Sequence, residues 1–257
     1  MITQFYIFNA QQASELSREN SARFAKDYSL ASVSALDLLS TKQAAFEFSE
    51  NKLSLNLNLD ERITQLSFDF SDGEVGFRAA RVSKSNEVVA KAIGCKPHYR
   101  PKVLDATAGM GRDSLIMAAL GCEVTMHERN FAIYQLLQNA LDDFKKTEDY
   151  RQLPGQLNLS NIDSAKALLT ESIDVIYLDP MFPERKKSAL VKKEMRLFKL
   201  LAGEDQDADE LFDWALHQPV KRLVVKRPKG APLLGSRKPS HEIKAKKFRY
   251  DVYILGV

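Results

Sequence analysis

The sequence predicts an α/β protein. A mostly parallel, doubly wound sheet is expected over residues 81–257, preceded by a small α+β segment over residues 1–80. Three observations carry that prediction. Before residue 80, short apolar runs alternate with a period of two around polar turns. After it, strand-like and helix-like runs follow one another in turn. The first strand of this later region also leads through a glycine-rich turn into a helix.

The elements follow in order. Residues 13–26 read as a helix, and "AAFEFSENKLSLNLNL" as a hairpin. In that hairpin Phe46 and Phe48 alternate on one arm and Leu53, Leu55 and Leu57 on the other, around a polar turn at 49–52. "ITQLSFDFSDG" is a further strand ending in a turn. Ser85 is placed to cap a helix through Val88, Val89, Ala92 and Ile93, which Gly94 ends. "KVLDAT" is a short apolar strand, "RDSLIMAAL" a helix closed by Gly121, and "CEVTMHE" the next strand. Asn130 caps the most regular helix, whose Ile133, Leu136, Leu137, Ala140, Leu141 and Phe144 recur at helical spacing. "DVIYLD", "KRLVVKR" and "FRYDVYIL" supply later strands.

Composition narrows the functional classes. At 257 residues, 44% hydrophobic and 28% charged, the chain can bury a sizeable core and is not a disordered segment. Its net charge of +3 decides nothing, but the distribution is uneven. Eleven Lys or Arg and one acid lie between Lys221 and Arg249, which suits a polyanionic partner. Cys95 and Cys122 form no CxxC, and four scattered histidines form no ligand motif, so no metal site is expected. No signal peptide and no membrane-spanning run is visible, so the expected location is cytoplasmic, without a membrane partner.

"VLDATAGMGRDS" sets Gly109 and Gly111 between strand and helix, where a ligand approaches bare backbone and the first N–H groups of the helix. Glu128 ends the next strand, where an acid can accept hydrogen bonds from both hydroxyls of a ribose. Together they suggest a nucleoside-bearing cofactor, although the same turn occurs without a ligand and Glu128 is followed by a good helix start. NAD is disfavoured, because Ser114 stands where the third glycine would be. Asp105 suits a cofactor with a positive group, such as the ammonium of S-adenosyl-L-methionine, with Arg112 and Asp113 able to meet its other polar ends.

"VIYLDPMFPERKK" carries the chemistry. A buried strand stops at Asp179 and Pro180, beyond the carboxyl end of a parallel sheet, where ligands bind. Pro180 and Pro183 fix two φ angles and remove two donors, leaving one carboxylate, free carbonyls and the Phe182 ring. An exocyclic amine of a nucleobase is a poor nucleophile, because its lone pair is delocalised into the ring. The Asp179 carboxylate and the Pro180 carbonyl can accept its two hydrogens and aim the lone pair outward, while Phe182 stacks on the base. Phe182 could equally cover the core.

"LDATAGMGRD", "ERN", "YLDPMFP" with "KKSALVKKEMR", and "VVKRP" together resemble the bacterial guanine-N2 methyltransferases that act on guanine 1516 of 16S rRNA. The resemblance runs from about Phe68 to the C-terminus. It implies a Rossmann-like class I fold, S-adenosyl-L-methionine as cofactor, and 16S rRNA or the small ribosomal subunit as partner. It also implies that Arg112, Asp113, Glu128, Arg129 and Asp179 contact the cofactor, with Asp163 and Ser164 as the pair from the loop before "DVIYLD". Amino-methylating enzymes more widely carry a proline where this chain has Met181, which shifts the stiffening onto Pro183. The first 65 or so residues match little of the family.

Two basic runs border the same expected rim. Lys186, Lys187, Lys192 and Lys193 lie on a helix whose buried stripe would be Leu190, Leu197 and Leu201; Lys226 and Arg227 open the second run. Either run alone is an ordinary solvated face, but the two together favour RNA phosphate. The expected activity is therefore methylation of guanine N2 in 16S rRNA. A DNA adenine or protein glutamine amino-methyltransferase, or a non-catalytic RNA-binding module on the same fold, are the competing readings.

Overall fold

The structure is a computed structural model and describes residues 2–70, 87–169, 172–181, 193–203 and 207–256. In chain order it forms β1 (Gln4–Phe8), α1 (Glu15–Asp27), β2 (Ala31–Val33), β3 (Gln43–Ser49), β4 (Lys52–Leu59), β5 (Arg62–Leu66), α2 (Val88–Ile93), β6 (Lys102–Asp105), α3 (Arg112–Ala119) and β7 (Glu123–His127). There follow α4 (Phe131–Phe144), α5 (Glu148–Arg151), β8 (Gln156–Ser160), β9 (Val175–Leu178), α6 (Lys193–Ala202), α7 (Ala208–Leu216), β10 (Arg222–Pro228), β11 (His241–Lys244) and β12 (Phe248–Ile254).

These elements divide into two compact units, with the first boundary between Asp69 and Phe70. The first unit holds a five-stranded sheet in the order β2-β1-β3-β4-β5. The expected hairpin is its centre: Phe46 pairs with Leu55 and Phe48 with Leu53 across β3 and β4. Ser14 caps α1 by accepting the Ser17 N–H at 3.2 Å, and Phe24 packs edge-on against Phe46 and Phe48. Chain from later in the sequence completes this unit: α6 and the Gln135–Asp143 stretch of α4 belong to it. Asn139 accepts the Leu53 N–H and donates to the Asn51 carbonyl, both at 2.8 Å, and Arg196 pairs with Asp60 at 2.6 Å. Local periodicity says nothing of such long-range pairing, so the sequence places a single division near residue 80 where the structure draws several. In α6 Leu197 and Leu201 are buried, whereas Leu190 lies outside the described residues.

The second unit holds a seven-stranded sheet in the order β11-β12-β10-β9-β6-β7-β8. β10, β9, β6, β7 and β8 run parallel; β12 is antiparallel to both β10 and β11. All four residues of β9 are buried, as a strand covered on both faces must be. Leu104, Ile176, Leu178, Val225 and Phe212 share one core cluster on one face. Helix ends follow the local chemistry. Gly94 closes α2 at φ +81°, and Asn130 accepts the Ala132 and Ile133 N–H groups to open α4. Glu87 stands at the start of α2; Ser85 lies outside the described residues. β8 and β11 escape the sequence reading because each has a mostly polar or exposed run.

Register fixes what meets at the carboxyl rim. Leu178 pairs with Val225, so Asp179 and Lys226 emerge side by side, while Asp105 ends its strand opposite Tyr177, two residues before Asp179. Gly155, in the turn before β8, shows how tightly this unit is closed. A Cβ there would lie 2.2 Å from the Cys122 carbonyl oxygen and 2.5 Å from that of Ala118. Gly155→Ala should destabilise the protein by about 2 kcal/mol or more, seen as a lower thermal unfolding midpoint, because backbone carbonyls cannot yield as a side chain can.

Candidate active site

The glycine turn after β6 is built as the sequence requires. Gly109 and Gly111 sit at φ +55° and +68°, in the left-handed region that other residues disfavour, and Gly111 opens α3. Glu128 closes over this turn. Its Oε2 accepts the Gly109 N–H at 3.0 Å and its Oε1 the Asn130 N–H at 2.7 Å. Each carboxylate oxygen has more than one acceptor site, so these bonds orient the group without exhausting it. Thr107 ties the turn to the next strand over: the Asp179 N–H donates to its Oγ1 at 2.7 Å. Pro180 is buried behind it, while the Asp179 side chain stays 41% exposed.

Lys226 lies between two of the acids. Its Nζ is 2.7 Å from Asp113 Oδ2 and 2.8 Å from Asp179 Oδ2, and it stands 5.4 Å over the Phe248 ring. Tyr177 donates its hydroxyl to the same Asp113 oxygen at 2.5 Å. Burial works against the Lys226 ammonium, but the charges of Asp179 and Asp113 outweigh it and hold the group firmly protonated. Burial raises the Tyr177 phenol well above its usual range, and the Asp113 charge adds to this, so Tyr177 remains a donor.

A family model for SAM-dependent methyltransferases matches residues 29–255. The ribosomal RNA small subunit methyltransferase J of Thioalkalivibrio sulfidiphilus is 47% identical over 208 residues, covering 79% of this chain and 82% of that protein. The protein of the same name from Shewanella sediminis is 44% identical over 223 residues, covering 84% and 86%. This chain belongs to that family. A solved SAM-dependent methyltransferase from Neisseria gonorrhoeae superposes with a TM-score of 0.71 at 28% identity, covering 98% of this chain and 96% of that one. The fold is therefore the Rossmann-like class I methyltransferase fold, and the cofactor is S-adenosyl-L-methionine.

The residues present fit such a cofactor. Glu128 stands over a turn whose two glycines leave backbone bare, and Arg112 is exposed in the first turn of α3 beside half-buried Asp113. Four other expected residues have protein partners. Asp105 is only 2% exposed; its oxygens accept the Thr107 N–H at 3.1 Å and the Ser114 hydroxyl at 2.5 Å, so it braces the turn from below. Ser164 is buried, 3.0 Å from His127 Nδ1, and knits two loops together. Arg129 forms a close ion pair with Asp207, and Asp163 pairs with Lys166 at 2.7 Å. The basic residues divide in the same way. Arg227 is not on the RNA-facing surface that the sequence predicts: it is 2% exposed and its guanidinium donates to the Pro232 carbonyl. Lys226 faces the acids of the site. Phe182, Lys186, Lys187 and Lys192 lie outside the described residues, as does the side chain of Lys193.

Sequence reasoning missed Thr107, Ser114 as the partner of Asp105, and Tyr177. It also missed the site role of Lys226, although one signal was available. "VIYL" and "RLVV" are runs of equal length, apolar but for Arg222, and aligning them in parallel sets Lys226 beside Asp179.

Burial pushes the Asp105 carboxyl up to about 7, against the Ser114 and Thr107 bonds that favour its charged form, and the nearby Asp113 and Asp179 charges add to the rise. The ordinary value is 3.8, so between the two the folded state holds a proton that the unfolded state has lost. Stability from this group is present at low pH and disappears as pH rises towards and past about 7. Asp105→Asn should therefore gain on the wild type, by on the order of 2–4 kcal/mol, between pH 4.5 and pH 8. Urea unfolding of both proteins across that range is the measurement; parallel curves would contradict it.

Proposed function

We propose that this methyltransferase modifies the exocyclic N2 amine of guanine 1516 in 16S rRNA, free or within the small ribosomal subunit, in the cytoplasm. The observation that carries the reading is the Asp179–Pro180 corner. It is anchored to the glycine turn by the bond from the Asp179 N–H to Thr107, yet keeps its carboxylate open to solvent. The relatives' name, ribosomal RNA small subunit methyltransferase J, supports the substrate class.

Glu128 would hold the ribose hydroxyls of the cofactor, Arg112 and Asp113 its methionine end, and Asp163 its base, with Arg129 and Ser164 shaping that wall indirectly through Asp207 and His127. When bound, S-adenosyl-L-methionine supplies an electrophilic methyl carbon on a sulfonium. Asp179 accepts one N2–H of guanine and the Pro180 carbonyl the other, which turns the nitrogen lone pair out of the ring plane. Phe182 holds the base plane by stacking. Asp179 then takes the proton released from N2 and passes it to water, which its exposure allows. Positioning carries most of the rate, so no side chain needs to be an unusually strong base. The lysines at 186, 187, 192 and 193 would bind phosphate and make affinity fall steeply with salt.

Methylation of small-subunit RNA from cells lacking the protein, with mass mapping of the product nucleotide, tests the reading. Asp179→Ala should lower transfer by about 100-fold or more while the protein stays folded. Glu128→Ala should raise the cofactor Kd by about 10- to 100-fold in calorimetry, with guanine N2 still modified at saturating cofactor. Full activity in Asp179→Ala would refute the acceptor role.

A further inference from the structure

Lys226 is more than a counter-ion. An ammonium has three N–H donors. Among the described residues two of them are directed to Asp113 and Asp179, at 2.7 and 2.8 Å. The side chain remains 22% exposed, beside an Asp179 that is 41% exposed, so solvent reaches both groups and an ammonium N–H remains beyond the two ion pairs. The side chain is also held in place. It leaves a strand paired on both sides, Lys226 with Tyr250 on β12 and Val225 with Leu178 on β9, and its Nζ rests over Phe248.

Carboxylate and ammonium side by side form a fixed pattern of acceptors and one donor. Guanine carries the complementary edge, with the O6 acceptor, then the N1–H donor, then the N2–H donors. Adenine does not: its N1 lone pair would face the Asp179 carboxylate, and two acceptors facing each other repel. We infer that Lys226 is the specificity-determining residue that donates to guanine O6, while Asp179 accepts from N1–H and N2–H. This rests on the proposed action at guanine N2. A role for Lys226 on backbone phosphate is disfavoured by the same geometry, since a phosphate would have to approach the Asp113 and Asp179 carboxylates that hold the ammonium. A donor that cannot act as an acceptor also rejects a base presenting an amine at that position, which would leave a buried donor facing a donor.

The test pairs a protein change with a substrate change. The target position of a small-subunit RNA fragment is made with guanosine or with 6-thioguanosine, which keeps N1–H and N2 but replaces O6 by a weak acceptor. It is assayed at a pH below ionisation of the thio-base. The wild type should prefer guanosine by about tenfold or more in kcat/KM, as expected for loss of a hydrogen bond to a charged donor. Lys226→Met should be slower on guanosine and treat the two substrates alike within about twofold. Equal rates for the wild type on both substrates overturn the inference. So does a Lys226→Met enzyme that is slower but keeps the wild-type preference, the signature of a purely structural ion pair. Should Lys226→Met fail to fold for want of the shared ammonium, Lys226→Met with Asp113→Asn restores the charge balance and must show the same loss of preference. A wild type that places no methyl group on N2 of either substrate would instead overturn the proposed function itself.

Discussion

Parallel strands bring a crowd of carboxylates to one rim, and the site depends on how that crowding is relieved. Asp105, Asp113, Glu128 and Asp179 all belong to the ends of β6, α3, β7 and β9. Left bare, they would repel one another in a partly desolvated place. Three different solutions appear. Asp105 is buried and drawn toward its neutral form, bonded to Ser114 and Thr107. Glu128 is satisfied by the backbone N–H groups of Gly109 and Asn130. Asp113 and Asp179 share the Lys226 ammonium.

Each solution leaves a different capacity for chemistry. Asp105, 2% exposed and bonded to Thr107 and Ser114, braces the glycine loop from within. Glu128 is oriented without being exhausted, which suits a group that must bind hydroxyls in one geometry. Asp179 is ion-paired with Lys226 on the open side of the corner, with its backbone pinned by Thr107. A carboxylate so held suits the proposed acceptance of amine hydrogens, and with its ammonium neighbour it would form one recognition edge. In the proposed reading, catalysis and base selection draw on one ion cluster, so substitutions in it would not act additively.

The first unit illustrates a different dependence. Its sheet folds from local signals, a capped helix and an alternating hairpin, but its completion uses α6 and the middle of α4. Asn139 bonds to Asn51 in the β3–β4 turn and to Leu53 at the start of β4, across nearly ninety residues of sequence. The unit is therefore not a detachable N-terminal module, and a truncation at residue 80 would remove partners that its own sequence does not contain.

Much of the fold is legible in the chain because its rules are local. Helical spacing from Ile133 to Phe144, glycines at Gly94 and Gly111, and the four buried residues of β9 each follow from a short window. The glycine turn, Glu128 and the Asp179–Pro180 corner are legible for the same reason, together with the rule that parallel strands end on one rim. Partnership is what the sequence leaves undecided. Lys226 and Arg227 are adjacent in a basic run, yet strand alternation sends one to Asp113 and Asp179 and buries the other against the Pro232 carbonyl. Asp105 and Asp179 both end strands, yet only Asp179 reaches solvent. Charge and residue type are written in the sequence, but which charges face each other depends on register between strands far apart in the chain, and only the packed sheet fixes that register.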